Sequence, residues 1–219
     1  MKKSVVSLVV LLLISTTVSA VPLCDQYAAP FRGQEGTTLQ SWLFSTRANP
    51  ALPDIDENPY GDPFIDLMGD IWSGTGWKDM DYGHQGVWVI GHPGDDPMMV
   101  ATVQNTKVQN PYKDIWVQLV YSANDGFAPD IWILPDGQPQ TGKTNAMDVV
   151  KTEQLDAMYY LAVYSIRLDY NPTWEQILIR PRECQVYIDC ITIETQCIPE
   201  PMTMGLLGLG SLLLRRRIA

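Results

Sequence analysis

The sequence predicts an all-β domain, a sandwich or barrel of short antiparallel strands, between two terminal segments of a different kind. Apolar and polar residues alternate with the period of two that strands show, and Pro, Gly, Asn and Asp separate the alternating runs. The 219 residues are 46% hydrophobic and only 18% charged, which excludes a collagenous, coiled-coil or intrinsically disordered protein. The length fits one domain of ordinary size.

Nine strands are predicted between the terminal segments. In the fifth, alternate residues from Ile115 to Tyr121 form one apolar face, while Trp116 and Val120 keep the second face fairly apolar. The segment from Asp148 to Met158 is the only helical candidate, with at most one or two amphipathic turns, so no long helix is expected. The predicted strands are Thr38–Ser45, Phe64–Ile71, Gly86–Ile90, Met98–Gln104, Ile115–Tyr121, Asp130–Leu134, Tyr159–Leu168, Glu175–Ile179 and Gln185–Glu194.

The last predicted strand contains an irregularity. Its apolar residues change parity between Ile188 and Ile191, so one strand can keep them on a single face only with a bulge near Asp189-Cys190. The run from Tyr187 to Ile193 is similar to the closing strand of carbohydrate-binding jelly rolls. That resemblance implies an antiparallel, jelly-roll-like β-sandwich for residues 21–197, and it implies no activity by itself.

The first 20 residues are predicted to be a cleavable secretory signal peptide. Lys2 and Lys3 precede an apolar stretch from Val5 to Ile14, and Val18-Ser19-Ala20 provides the compact residues that signal peptidase reads. The apolar stretch is well short of the roughly 20 residues that span a bilayer, so a lasting N-terminal anchor is disfavoured. Signal peptidase is therefore an expected partner during export.

The last segment, residues 198–219, has the composition of a second targeting signal. Pro199, Glu200 and Pro201 precede a Gly/Leu-rich apolar run, and Arg215, Arg216 and Arg217 follow it. From Met202 to Leu214 a helix would be about 20 Å long, against a hydrocarbon core of roughly 30 Å, so it suits transient membrane insertion better than permanent anchoring.

This tail resembles the PEP-CTERM sorting signal of bacterial exported proteins. The resemblance implies an exosortase as a partner, a transient anchor in the inner membrane, and then release to the cell surface or the extracellular matrix. An ordinary single-pass anchor is the alternative, with the arginines in the cytoplasm. Residues 31–62 also look like the opening of uncharacterised PEP-CTERM proteins, for which no activity is implied.

The charge balance is acidic. Fifteen Lys and Arg stand against 25 Asp and Glu, a net charge of −10, which argues against a nucleic-acid partner. Without the five basic residues of the two terminal segments and without Glu200, the central region has a net charge of about −14. Such a charge keeps an exported protein soluble, attracts divalent cations and repels anionic polymers.

The four cysteines, Cys24, Cys184, Cys190 and Cys197, all lie in the central region and are disulfide candidates in an exported chain. Cys24 with Cys197 would join the first and last segments, leaving Cys184 with Cys190 across a bend. That pairing is favoured, although three pairings are open for four cysteines.

Catalytic signatures are sparse. His84 and His92 lie in a Gly-rich stretch without the further ligands that zinc requires, and neither accompanies a nucleophilic Ser or Cys motif. A pair of carboxylates is the only plausible enzymatic route, as in glycosidases, and most acids here lie in turn-like contexts such as Asp54, Asp56, Glu57 and Asp95-Asp96. No catalytic residue and no cofactor are predicted.

The best candidate binding loop begins at Ile71 and ends at Gly83. Trp72, Trp77 and Tyr82 could offer flat faces to sugar rings, and Asp79 and Asp81, with Asp189 elsewhere, are weak candidates for holding a structural Ca²⁺. The alternative is that large aromatic residues fill the core of a sandwich. The remaining tryptophans are interpreted as core or sheet-face packing: Trp42, Trp88, Trp116, Trp132 and Trp174.

Together these features predict an exported surface or matrix protein with a non-catalytic structural or adhesive role. A glycan-binding module, with exopolysaccharide or cell-surface glycans as partners, is the related alternative. A carbohydrate-active enzyme is the alternative from another class, and two carboxylates converging in a cleft would favour it.

Overall fold

The computed structural model describes residues 22–68, 75–91, 98–137 and 145–198. In this part the chain forms two antiparallel sheets, and a single 3-10 turn, Leu23–Asp25, precedes them. The strands are β1 (Thr37–Trp42), β2 (Ile55–Asp56), β3 (Phe64–Met68), β4 (Gly76–Asp81), β5 (His84–Ile90), β6 (Met98–Gln104), β7 (Tyr112–Ala123), β8 (Asp130–Pro135), β9 (Asp148–Gln154), β10 (Tyr160–Leu168), β11 (Trp174–Arg180) and β12 (Val186–Ile198).

The larger sheet has eight strands and is organised around β12. Its main order is β2-β1-β12-β7-β10-β9, and the β4–β5 hairpin joins it through the pairing of β5 with β12. The two halves of β12 therefore have different neighbours on one side: Val186 to Ile188 pair with β5, and Ile191 to Gln196 pair with β1. This arrangement places the β4–β5 hairpin beside the first part of β12.

The smaller sheet has four strands in the order β3-β6-β11-β8. Its inner face meets the inner face of the larger sheet in one apolar core, to which Ile65, Ile133 and Ile177 contribute from one sheet and Leu119 and Ile193 from the other. Alternate residues of β11 and β8 are buried, as expected for strands with one face on the core. The molecule is therefore a β-sandwich, and the fold class predicted from the alternation is confirmed at that level.

The N-terminal segment, residues 22–34, covers part of the outer face of the larger sheet. The backbone nitrogen of Tyr27 donates to Gln118 (2.7 Å), and the Trp116 indole donates to the Tyr27 carbonyl (2.9 Å). The buried Glu194 accepts from the Ala29 backbone (2.9 Å) and from Arg32 Nε (2.6 Å). These contacts bind the segment across β12 and β7 and remove that area from solvent.

Each of the nine predicted strands has a counterpart in the described residues, with residues 69–71 of the second lying outside them, and the bulge is confirmed. The register of β12 against β7 shifts between Ile188 and Cys190, which leaves Asp189 as the extra residue. Strands β2 and β4 were not predicted. The helical candidate is wrong, because Asp148–Gln154 is β9, an exposed edge strand paired with β10.

Several predicted features lie outside the described residues: the signal peptide 1–20, the tail 199–219, Trp72 and His92. Among the residues that the model does describe, no helix has the length and apolar character needed to cross a membrane.

Candidate functional site

A groove of about 510 Å³ opens on the outer face of the smaller sheet, on the side away from the core. In the part of the chain that the structure describes, aromatic rings, side-chain amides, hydroxyls and one cationic side chain line it. The lining residues are Tyr60, Phe64, Thr102, Gln104, Asn105, Lys107, Thr173, Trp174 and Gln176.

The strand register explains why these side chains meet. Thr102 of β6 lies directly opposite Phe64 of β3 and Gln176 of β11, so three strands contribute one row of outward residues. The next row pairs Gln104 with Trp174. Because side chains alternate across a strand, the residues between these positions point into the core, and the groove lies on a rigid base.

Asp136 and Gly137 position Trp174 at the end of β8. Asp136 Oδ1 accepts from the backbone nitrogen of Thr173 (2.9 Å) and from its hydroxyl (2.8 Å), and the Asp136 nitrogen donates to the Trp174 carbonyl (2.8 Å). A Cβ placed on Gly137 would lie 2.5 Å from Cη2 of the indole. Glycine therefore lets the backbone approach the Trp174 ring closely, and its φ of +69° also favours glycine.

The opposite side of the groove is formed by the loop before β3. Asn58 Nδ2 donates to the Gln104 carbonyl (2.9 Å), and Asn58 Oδ1 accepts from the Tyr60 nitrogen (3.0 Å). A Cβ on Gly61 would lie 2.8 Å from Cγ of Gln104, so the loop packs closely against that side chain. Tyr60 is thus held at the rim by contacts with β6.

A buried ionic network lies beneath one end of the groove. Lys113 of β7 and Glu175 of β11 are completely buried, with Lys113 Nζ 2.7 Å from Oε1 and 2.9 Å from Oε2 of Glu175. Asn105 accepts from Lys113 and donates to Glu175, and it also donates to the Pro172 carbonyl (3.1 Å). The pair links the two sheets and fixes the backbone that precedes Trp174.

The groove chemistry is suited to sugar rings. Aromatic faces such as those of Tyr60, Phe64 and Trp174 can pack on the apolar faces of pyranoses, while amides such as Gln104 and Gln176 can exchange hydrogen bonds with hydroxyls. Sequence reasoning missed this site and interpreted Trp174 as packing. One feature of the sequence could have indicated it: polar residues occupy the outward positions of β6 and β11, and aromatic residues, Phe64 and Trp174, begin β3 and β11.

A second groove, of about 530 Å³, lies beside the N-terminal segment on the larger sheet. Phe31 and Trp116 line it together with two carboxylates, Asp114 and Asp148. Arg167 Nε and Nη2 each donate to Asp114 over 2.6 Å, so this carboxylate is engaged as one half of a bidentate ion pair.

Of the predicted binding loop, Trp72 lies outside the described residues, and Trp77 and Tyr82 have different surroundings. The Trp77 indole donates to the Phe44 carbonyl (2.9 Å) and packs against the core, so its ring contributes to folding. Tyr82 is 72% exposed next to Gly83 in the turn between β4 and β5. The alternative interpretation, that large aromatics fill the core, therefore applies to Trp77. It does not apply to Tyr82, whose ring is exposed.

The structure brings Asp81 and Asp189 to a cluster centred on His84. His84 Nε2 lies 2.9 Å from Asp156, and Nδ1 lies 3.1 Å from Asp189, the extra residue of the β12 bulge. The ring stacks on Tyr159 with centroids 3.7 Å apart, and the Tyr159 hydroxyl donates to Asp81 (2.9 Å). Within the described residues, no group of three or more metal-ligating side chains could hold a metal ion, and Asp79 is exposed.

The titration behaviour of this cluster follows from its contacts. Burial works against protonation of His84, but hydrogen bonds to Asp156 and Asp189 raise its pKa overall. Burial raises the pKa of Asp189 despite the bond to His84. The hydrogen bond from His84 lowers the pKa of the more exposed Asp156, and burial together with Asp81 raises the pKa of Tyr159.

The four cysteines are unpaired in the structure. The structure does not bring together the favoured pair, Cys24 and Cys197, because Cys24 shares a small buried cluster with Cys190 instead. Cys197 lies seven residues further along β12 and donates to Asn171 Oδ1 (2.9 Å). Cys184 packs against the core between the sheets, whereas Cys190 lies in a separate cluster with Cys24.

No family model matches the sequence, and no curated protein matches it. Among solved structures, the chain is similar to the enzymatically active domain of tailspike protein 4 of bacteriophage CBA120 at 9% identity and a TM-score of 0.28, covering 72% of this chain and 19% of that one. It is also similar to an exo-β-1,3-galactanase from Phanerochaete chrysosporium in complex with β-1,3-galactotriose, at 12% identity and a TM-score of 0.25.

That second likeness covers 62% of this chain and 42% of the galactanase, so the chain spans less than half the length of either solved protein. Because the TM-scores are low, neither likeness assigns the chain to a family.

Proposed function

We propose that this chain is a non-catalytic adhesion protein, exported to the cell surface or the extracellular matrix, that binds a neutral glycan in the groove of the smaller sheet. The observation that supports this proposal is the lining of the groove. Three aromatic side chains and several amides converge on an open sheet face and are fixed from behind by hydrogen bonds and closely packed glycines.

The charge of the molecule favours a neutral ligand. Among the described residues that line the groove, Lys107 is the only charged one and none is a carboxylate. The central region as a whole has a net charge of about −14, which disfavours approach of an anionic polysaccharide at low salt. A neutral hexose polymer avoids that repulsion and uses the aromatic and amide contacts fully.

Export and sorting are part of the same proposal. The predicted signal peptide and the PEP-CTERM-like tail imply delivery through signal peptidase and an exosortase, with a jelly-roll-like sandwich as the delivered body. Intact-mass measurement of protein from culture medium and from membranes tests this route. We expect a soluble species lacking residues 1–20 and the segment beyond Pro199-Glu200-Pro201, and a membrane species that keeps Arg215 to Arg217 would overturn it.

Glycan binding is tested by titrating neutral oligosaccharides into the purified protein and into three variants. Tyr60→Ala and Trp174→Ala each remove an aromatic face of the groove, and we expect each to weaken binding at least tenfold, about 1.4 kcal/mol. Tyr82→Ala removes an exposed aromatic from the turn between β4 and β5, which belong to the other sheet, and should leave the affinity unchanged. Circular dichroism confirms that each variant is folded.

Three outcomes would overturn the proposal. Equal affinity in all the variants would place binding elsewhere, and no binding of any neutral glycan would favour a purely structural role. Turnover of a polysaccharide, abolished by Asp148→Asn in the second groove, would instead identify a carbohydrate-active enzyme.

A further inference from the structure

Two buried thiols meet where the N-terminal segment crosses the larger sheet. Cys24, in the turn Leu23–Asp25, is fully buried, and Cys190 of β12 is 3% exposed. Both belong to one small apolar cluster, enclosed by Val120, Tyr159 and Leu161. Cys24 thus lies almost at the start of the described chain and Cys190 near its end.

We propose that Cys24 and Cys190 form a disulfide bond that fastens the N-terminal segment, residues 22–34, to the outer face of the larger sheet.

The β12 bulge is what turns Cys190 towards Cys24. Ile188 and Ile191 both face the core between the sheets, although a regular strand would place them on opposite faces. The extra residue Asp189 absorbs the change of parity and leaves Cys190 on the outer face. The sequence irregularity that predicts the bulge therefore also determines which side of the sheet carries this thiol.

Neighbouring hydroxyls hold the Cys24 sulfur over that same face. Thr192 lies two residues after Cys190, so the two side chains share one face of β12. Its hydroxyl donates to Cys24 Sγ (3.4 Å), and the Ser41 hydroxyl, from the adjacent β1, lies 3.8 Å from the same sulfur. Cys24 is therefore fixed from two strands, in the same buried cluster as Cys190.

The other two cysteines do not compete for either partner. Cys197 is separated from Cys190 by seven residues of strand, about 23 Å when extended, whereas bridged Cα atoms are roughly 5.5 Å apart. Cys184 lies against the core on the opposite side of the larger sheet from Cys24. We therefore expect Cys184 and Cys197 to stay reduced.

The chemistry requires a disulfide oxidant such as a thiol–disulfide oxidoreductase or oxidised glutathione. The Cys24 thiolate attacks the oxidant, forms a mixed disulfide and releases one thiol. Cys190 then gives up its proton and attacks the Cys24 sulfur, releasing the second thiol, so two electrons and two protons pass to the oxidant.

The burial of both sulfurs sets when this reaction happens. No oxidant can reach a sulfur enclosed by Val120, Tyr159 and Leu161, so the exchange takes place while the N-terminal segment is undocked, during folding in the oxidising compartment. Docking then shields the bond from reduction. The inference is independent of the proposed glycan groove, which lies on the other sheet.

The experiment refolds the full chain in a glutathione redox buffer and maps its thiols. After denaturation without reduction, we expect iodoacetamide to label two cysteines, Cys184 and Cys197, and a digest to contain a peptide pair joined through Cys24 and Cys190. Reduction before labelling should raise the count to four. Four labelled cysteines without reduction, or a different joined pair, would overturn the proposal.

Variants supply a second, independent measurement. The midpoint temperature of the wild type should fall by about 5 to 15 °C when dithiothreitol is added. Cys184→Ser, the matched control, should keep this response, while the double variant Cys24→Ser/Cys190→Ser should lose it. A response that survives in the double variant would refute the assignment even if the variant is less stable overall.

Discussion

Replacing Lys113 by Met should destabilise the protein strongly, because it leaves Glu175 as an uncompensated charge in the core. Both side chains are fully buried, and at 2.7 Å their attraction is about 6 kcal/mol with an effective dielectric constant of about 20. Desolvation of two ions offsets most of that attraction in the wild type. The variant loses the attraction but still contains the desolvated Glu175 carboxylate, whose remaining partner is Asn105.

The loss has an upper limit set by protonation. Protonating a glutamate carboxylate with an ordinary pKa costs about 3.7 kcal/mol at pH 7 and about 1 kcal/mol at pH 5. The variant can protonate Glu175 instead of keeping a buried charge, so its loss of stability should not exceed this cost. We therefore expect Lys113→Met to lose about 3 to 4 kcal/mol at pH 7, close to the usual cost of breaking a buried pair, and distinctly less at pH 5.

Urea unfolding followed by tryptophan fluorescence measures both values. The double variant Lys113→Met/Glu175→Leu removes both charges and should recover most of the stability, giving a coupling energy of several kcal/mol in a double-mutant cycle. If the single variant lost less than about 1 kcal/mol, or if the two losses simply added, the buried pair would not be the interaction that joins the sheets at this point.

Three further predictions concern the groove, the β4–β5 hairpin and the His84 cluster. Gly137→Ala should displace the Trp174 indole and weaken glycan binding in calorimetry, whereas Gly126→Ala, also at positive φ but beside open space, should only reduce stability slightly. Gly86→Ala places Cβ 2.1 Å from the Phe44 carbonyl oxygen and should lower the midpoint temperature well beyond the effect of Gly83→Ala, whose Cβ meets no atom. The raised pKa of His84 stabilises the fold below about pH 6.5 and this contribution is lost as pH rises through the folded value, so midpoint temperatures should fall with pH in that range and His84→Gln should flatten the fall. A pH profile that is unchanged in His84→Gln would show that the proton on this ring does not stabilise the fold.

Strand positions could be predicted from the sequence because each buried strand repeats with a period of two. The bulge followed from the same rule, since the parity of apolar residues changes at Asp189-Cys190. Strand β9 could not be recognised this way, because nearly all its residues are exposed and no apolar face repeats. It forms through backbone pairing with β10, which is a property of the neighbouring strand and not of its own side chains.

The groove and the thiol contact depend on tertiary arrangement and were not predictable. Alternation shows that Thr102, Gln104 and Gln176 share an outward side, but it does not show whether that side is open or covered. The same limit applies to the cysteines, because Cys24 reaches Cys190 only through the path of the N-terminal segment across the sheet.

The two outer faces of the sandwich differ in how far other parts of the chain cover them. This difference supports the proposal that the glycan binds on the smaller sheet. The N-terminal segment covers β12 and β7 on the larger sheet, and it is held there by Glu194, Gln118 and the Cys24 contacts. On the smaller sheet, the loop containing Tyr60 lies along the rim of the groove, and among the described residues its floor is open. A ligand lying where the N-terminal segment crosses β12 and β7 would have to displace buried polar contacts, whereas a ligand in the groove of the smaller sheet would add contacts to half-buried rings. The second case releases water from apolar surface without breaking protein hydrogen bonds, so the open face is the energetically favoured place for a glycan to bind.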